Sequence, residues 1–206
     1  MLLYILGMIG IAAFAITGVI SAGRRNMDLF SIVLLGMVAS LGGGTIRDVV
    51  LRLDAVYWVN DTSYLWVAIL SSVFAFFGVR VIENRQQVFH YADSFGLALF
   101  TVVATESVLN MGFSPIIAMT MGVTTGVAGG MMRDLLSHRP PLVLGREFYA
   151  TPAFLGALLV VLLERNIPFH EYNAIYSALL IFILRLFAIH KGLYYPSWLL
   201  YKKRES

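Results

Sequence analysis

The sequence contains no cysteine. That excludes disulfides, iron–sulfur clusters and any thiolate ligand or nucleophile. Charge is scarce as well: 13% of the 206 residues are charged, where a soluble domain carries about 25%. With 59% hydrophobic residues and a mean hydropathy of +0.79, too little polar surface remains to face water. The alternative solvent is lipid, so an all-α polytopic membrane protein is expected. Proline is limited to six residues. Pro115 and Pro152 stand near the starts of apolar runs, where a missing N–H is tolerated, and Pro168 separates two runs. There is no nucleotide-binding loop, no H-E-x-x-H pattern and no nucleophile–base grouping. His90, His138, His170 and His190 are scattered at loop ends. Neither an enzyme nor a metal centre is expected. The net charge of +3 falls between apolar runs, so it speaks to topology and not to nucleic acid.

What the chain does have is apolar length. Seven runs can be drawn, at 2–22, 28–50, 64–83, 91–110, 114–136, 148–165 and 171–190, each near the ~20 residues that cross a bilayer. Asp28 and Ser114 are the expected N-caps of the second and fifth runs. The opening stretch MLLYILGMIGIAAFAITGVI lacks a basic leader and reads as a retained first helix. Eleven Lys and Arg residues fall on one side: Arg24, Arg25, Arg80, Arg85, Arg133, Arg139, Arg146, Lys191, Lys202, Lys203 and Arg204. The other side has three, Arg47, Arg52 and Arg165. The basic side is expected to be cytoplasmic, which puts the N-terminus outside and the C-terminus inside.

Two stretches carry the same signature, SLGGGTIRDVV at 40–50 and GVAGGMMRDLL at 126–136. Shifting the sequence by 86 residues aligns them and gives nine identities over positions 10–52 without a gap. They pair Gly10 with Gly96, Phe14 with Phe100, Gly36 with Gly122, Gly43-Gly44 with Gly129-Gly130, and Arg47-Asp48 with Arg133-Asp134. Each copy holds three crossings, an odd number, so the second must enter from the opposite face. The expected plan is a three-helix repeat at 1–90, an inverted one at 91–168, and a seventh helix with a basic tail at 169–206. Inverted repeats commonly hold a permeation route at their interface, near mid-membrane.

Gly42, Gly43, Gly44, Gly129 and Gly130 fall inside the hydrocarbon. There they permit a kink, exposed carbonyls or a close helix crossing. A waist at these glycines would let a monovalent cation meet carbonyls near Gly42, Gly43, Ala128 and Gly129. Thr45, Thr124 and Thr125 are candidate oxygen donors, although threonines also bond back to their own helix. Arg47, Asp48, Arg133 and Asp134 are read as either an ion-pair latch or a gate. Because adjacent residues point away from one another on a helix, their partners are expected on other helices. Asp93 stands at the start of the fourth run and is expected to precede its helix. Glu106 lies within that run and is a functional candidate by default.

The paired GG-x-x-RD motifs, with ADSFGLALFTVVATESVLNMG at 92–112, resemble a bacterial membrane family of two tandem three-helix domains. That family is similar to the trimeric intracellular cation (TRIC) channels, and other bacterial members have been described as glycine transporters. The resemblance implies seven helices and a homotrimer in the bacterial inner membrane, among lipids. Each subunit would have an hourglass pore lined by kinked second and fifth helices. It implies potassium or sodium as the permeant species, potassium chiefly, with no cofactor. The alternative it carries is a secondary transporter of glycine or another small amino acid. The copies differ, since Ala128 stands where the first has Gly42. The Lys-Glu-Val motif of the animal channels is missing, so their lipid regulation is not carried over.

Overall fold

The structure is a computed structural model and describes residues 1–23, 27–79, 85–168, 170 and 172–196. All regular elements among them are helical: α1 (Leu2–Ala22), α2 (Leu29–Val50), α3 (Tyr57–Asn60), α4 (Ser63–Gly78), α5 (Arg85–Asn110), α6 (Pro115–Leu136), α7 (Ala150–Asn166) and α8 (Asn173–Lys191). A 3-10 turn spans Leu142–Leu144. By length and composition α1, α2, α5, α6 and α8 can each cross a bilayer. α4 and α7 are shorter, with 16 and 17 residues, and α3 is a single turn. The end of the third expected run, 80–83, lies outside the described residues.

Two helix starts show different capping. Asp28 accepts the Ser31 N–H at 2.8 Å, which also holds its carboxyl below the usual carboxylate range. Ser114 occupies the cap position before Pro115 but makes no side-chain bond. α5 begins earlier than expected, so Asp93 lies inside the helix instead of ahead of it. His90 likewise sits within α5 and His190 in the last turn of α8.

The packing repeats under the 86-residue shift. α1 packs on α2 as α5 packs on α6, α1 on α4 as α5 on α7, and α2 on α4 as α6 on α7. α8 rests against α5 and α7. The two sets meet through α1 with α5 and α2 with α6. Contacts at those meetings are reciprocal. A Cβ on Gly43 would strike the carbonyl of Thr125, and one on Gly129 would strike that of Ala39, its shifted equivalent. Gly96 faces the Phe14 ring and Gly10 the Phe100 ring, while those two rings meet at 5.2 Å. Residue i touching j while its mate touches the mate of i is the mark of a two-fold relation. Large apolar side chains such as Phe30, Phe74 and Ile116 are 72–77% exposed on the outside, as a lipid-facing or subunit-facing surface requires.

Candidate functional site

The glycine clusters mark the point where α2 and α6 cross. Both helices run unbroken through them. Gly43 and Gly129 have no room for a side chain because the opposing backbone fills it, and the Gly129 N–H nitrogen is 3.4 Å from a Cβ position on Gly43. Gly42 abuts the end of Met132, and Gly44 abuts the Tyr57 ring, which a Cβ would approach to 2.5 Å. Gly130 is looser, with its nearest neighbours at 3.4–3.5 Å from a Cβ. Ala128 is buried beside them.

Each Arg-Asp pair sits in the last turn of its helix, and there the expectation about partners needs correction. The neighbours do bond to each other: Arg47 Nε donates to Asp48 Oδ1 at 2.7 Å and Arg133 Nε to Asp134 Oδ1 at 2.9 Å. The rule that adjacent positions diverge describes Cβ directions, and an arginine is long enough to fold back. The second carboxylate oxygen then catches the returning chain. Asp48 Oδ2 accepts the Tyr57 N–H at 2.8 Å and Asp134 Oδ2 the Leu142 N–H at 3.2 Å. The backbone is closed identically at both ends. Leu53 N–H reaches the Asp48 carbonyl and Arg139 N–H the Asp134 carbonyl, a Schellman closure. Arg52 (φ 54°) and His138 (φ 52°), which are shifted equivalents, take the left-handed position.

Beyond this shared latch the ends differ. Arg133 is fully buried, and its Nη1 donates to Asp93 Oδ1 at 2.7 Å and Thr17 Oγ1 at 2.8 Å. The Phe89 ring lies 4.5 Å from its guanidinium carbon, and the Tyr149 hydroxyl stands beside Asp93. Here the expected partners on other helices exist, Asp93 on α5 and Thr17 on α1. Arg47 has polar contacts only with Asp48 among the described residues, plus the Tyr57 ring 5.6 Å away. It faces a cavity of about 220 Å³ that is also lined by Gly7, Tyr57, Val103, Ser107 and Thr125.

The remaining candidates disperse. Thr45 bonds back to the Leu41 carbonyl and accepts from Trp58 Nε1 at 3.0 Å. Thr124 is half-buried on α6, whereas Thr125 is 2% exposed and its hydroxyl has no partner among the described residues. Glu106 is half-buried on α5 with Glu164 of α7 as its charged neighbour. Sequence reasoning missed Tyr57 and Tyr149, and it gave Thr17 no partner. It also missed Arg185 of α8, which is 1% exposed, donates to the Phe148 carbonyl at 3.0 Å and pairs with Glu147 at 3.3 Å. An arginine inside an apolar run was the signal for that lock.

Helices of membrane-crossing length, a lipid-type exterior and reciprocal halves joined at a glycine crossing define a polytopic membrane protein of inverted-repeat construction. The chain belongs to the family described as "Glycine transporter", whose model matches twice, at 4–80 and 90–165. The two matches begin 86 residues apart, the offset read from the motifs. The Escherichia coli (strain K12) UPF0126 inner membrane protein YadS is 36% identical over 203 residues, covering 97% of this chain and 98% of that protein. A Vibrio cholerae UPF0126 membrane protein is 40% identical over 158 residues, 76% of this chain and 66% of that one. Among solved structures, the TRIC trimeric intracellular cation channel orthologue from Rhodobacter sphaeroides superposes with a TM-score of 0.89 at 37% identity, covering 93% of this chain and 98% of that chain.

Proposed function

We propose that this protein is a monovalent cation channel preferring potassium, a homotrimer in the bacterial inner membrane with one hourglass pore per subunit. The observation that carries the reading is the whole-chain likeness to the cation channel orthologue. The crossing of α2 and α6 at paired glycines supports it, since a waist requires two backbones to approach without side chains. The seven long helices α1, α2 and α4–α8 are the crossings, divided 1–90, 91–168 and 169–206, with the N-terminus outside. Permeation runs beside the crossing, past Gly42, Gly43, Gly44, Thr45, Thr124, Thr125, Ala128, Gly129 and Gly130. The helices are unbroken, so a cation there uses the second lone pair of each carbonyl. Arg133 and Asp134 latch the cytoplasmic end, and Arg47 and Asp48 flank the outer mouth. No cofactor and no catalysis enter this reading.

The second reading is a carrier of glycine or another small amino acid, favoured by the description of the family that matches. Purified protein in planar bilayers is expected to show single-channel steps with reversal potentials that follow potassium. Silence in the bilayer, with uptake of labelled glycine by proteoliposomes, would replace the channel with the carrier.

A further inference from the structure

The two arginine ends are shifted equivalents, so each neighbour of Arg133 can be compared with the residue 86 positions earlier or later. Thr17, which accepts from Arg133, corresponds to Val103. Asp93, which pairs with Arg133 at 2.7 Å, corresponds to Gly7. Both replacements line the cavity that faces Arg47. At one end the guanidinium therefore meets a carboxylate and a hydroxyl supplied by the chain. At the other, the same space is cavity.

The polar part of the lining has the chemistry of an anion site. Arg47 Nε and Nη2 are both taken up by Asp48 Oδ1, which leaves Nη1 without a partner among the described residues. That is the atom whose counterpart in Arg133 holds Asp93. The Arg47 side chain is 10% exposed. The Tyr57 and Thr125 hydroxyls are buried and have no partner among the described residues, and both residues line the cavity with Ser107. Burial raises the Tyr57 phenol's pKa, so it stays protonated and able to donate. Among the described residues no carboxylate lines the space, and Asp48 is engaged through both oxygens. Its 220 Å³ equals about seven waters' share of liquid, at roughly 30 Å³ each. A molecule of a few heavy atoms fits.

We propose that the cavity beside Arg47 binds a small carboxylate, which takes the place that the Asp93 side chain fills beside Arg133. A planar carboxylate suits the guanidinium edge better than a spherical halide. The inference stands whether the protein works as a channel or as a carrier. Two sources share this chemistry, a simple monocarboxylate and the carboxylate of a small amino acid. The rings of Tyr64 and Phe100 in the same lining offer faces to an ammonium group.

The test is a calorimetric titration of the purified, detergent-solubilised protein with acetate, with glycine and with chloride. Saturable binding of acetate or glycine is expected. Acetate binding as tightly as glycine identifies a simple carboxylate, and glycine alone identifies an amino acid. Gly7→Asp should supply the missing carboxylate from within, because a Cβ there meets nothing closer than 3.8 Å. It is expected to weaken binding at least about tenfold. Should Gly7→Asp not yield folded protein, the isosteric Thr125→Val is expected to weaken binding about threefold by removing one hydroxyl. Absence of saturable binding by the wild type overturns the proposal. So does undiminished affinity in the folded Gly7→Asp protein, or in Thr125→Val where that variant is the one tested, and so does chloride binding as tightly as the carboxylates.

Discussion

The Arg133 and Arg47 ends are built on one plan and completed in two ways. Each has an arginine in the last helical turn, an aspartate that joins it to the returning chain, and a left-handed residue closing the helix. At Arg133 one guanidinium is shared by two carboxylates and a threonine, and it is wholly buried. At Arg47 there is one carboxylate and a cavity. The lesson is that a repeat fixes the local fastening, while the two ends diverge through the residues that face it from α1 and α5. Gly7 against Asp93 and Val103 against Thr17 are single-residue differences, yet they separate a sealed end from an open one.

The crossing should be the most sensitive region of all, and its two halves should fail alike. Gly43→Leu or Gly129→Leu drives a side chain into the opposing carbonyl, and backbone cannot move aside as a flexible side chain does. Little folded protein is expected from either, measured as monodisperse yield in size-exclusion chromatography. Gly130→Ala, whose Cβ would find 3.4–3.5 Å contacts, should express and melt almost as wild type. Equal damage from Gly130→Ala and Gly43→Leu would break the idea that the crossing is a two-fold contact centred on Gly43 and Gly129.

A smaller effect sharpens the contrast between the arginines. Arg133→Met leaves Asp93 and Asp134 buried without their cation, a loss of about 3–5 kcal/mol. Arg47→Met removes one pair, while Asp48 keeps the Tyr57 N–H and the cavity can admit water. A loss of about 1–2 kcal/mol is expected there. Thermal melting of the two variants in the same detergent reads the difference directly. Equal losses would mean that Asp93 and Thr17 add nothing to the sealed end.

Much of this was legible in the sequence, and for physical reasons. Apolar runs near bilayer length dictate helices in lipid, and the run edges agree with α1, α2 and α6 to within a residue or so. The 86-residue offset follows from glycines and charges that apolar composition does not place by chance, and it reappears in the reciprocal packing. The Arg-Asp bond within each motif was not legible, because Cβ periodicity says nothing of how a long side chain folds back at a helix end. Asp93 was misplaced because α5 begins in a polar stretch, RQQVFHYAD, that hydropathy does not mark as helix. Its partnership with Arg133 spans 40 residues, and only the shifted comparison with Gly7 gives it meaning.

The smallest expected effect concerns what the two ends share. Arg52 and His138 take positive φ values of 54° and 52°, a region that costs a non-glycine residue about 1–2 kcal/mol. Glycine adopts it freely but adds freedom to the unfolded chain, which offsets part of the gain. Arg52→Gly and His138→Gly should therefore each stabilise by about 0.5–1 kcal/mol, read as a small rise in melting temperature, and by the same amount at both ends. Equality is the informative part. Both substitutions act at the left-handed closing position that the two helix ends share. A gain at one end and a loss at the other would show that the asymmetry extends into the backbone, beyond the residues that α1 and α5 present.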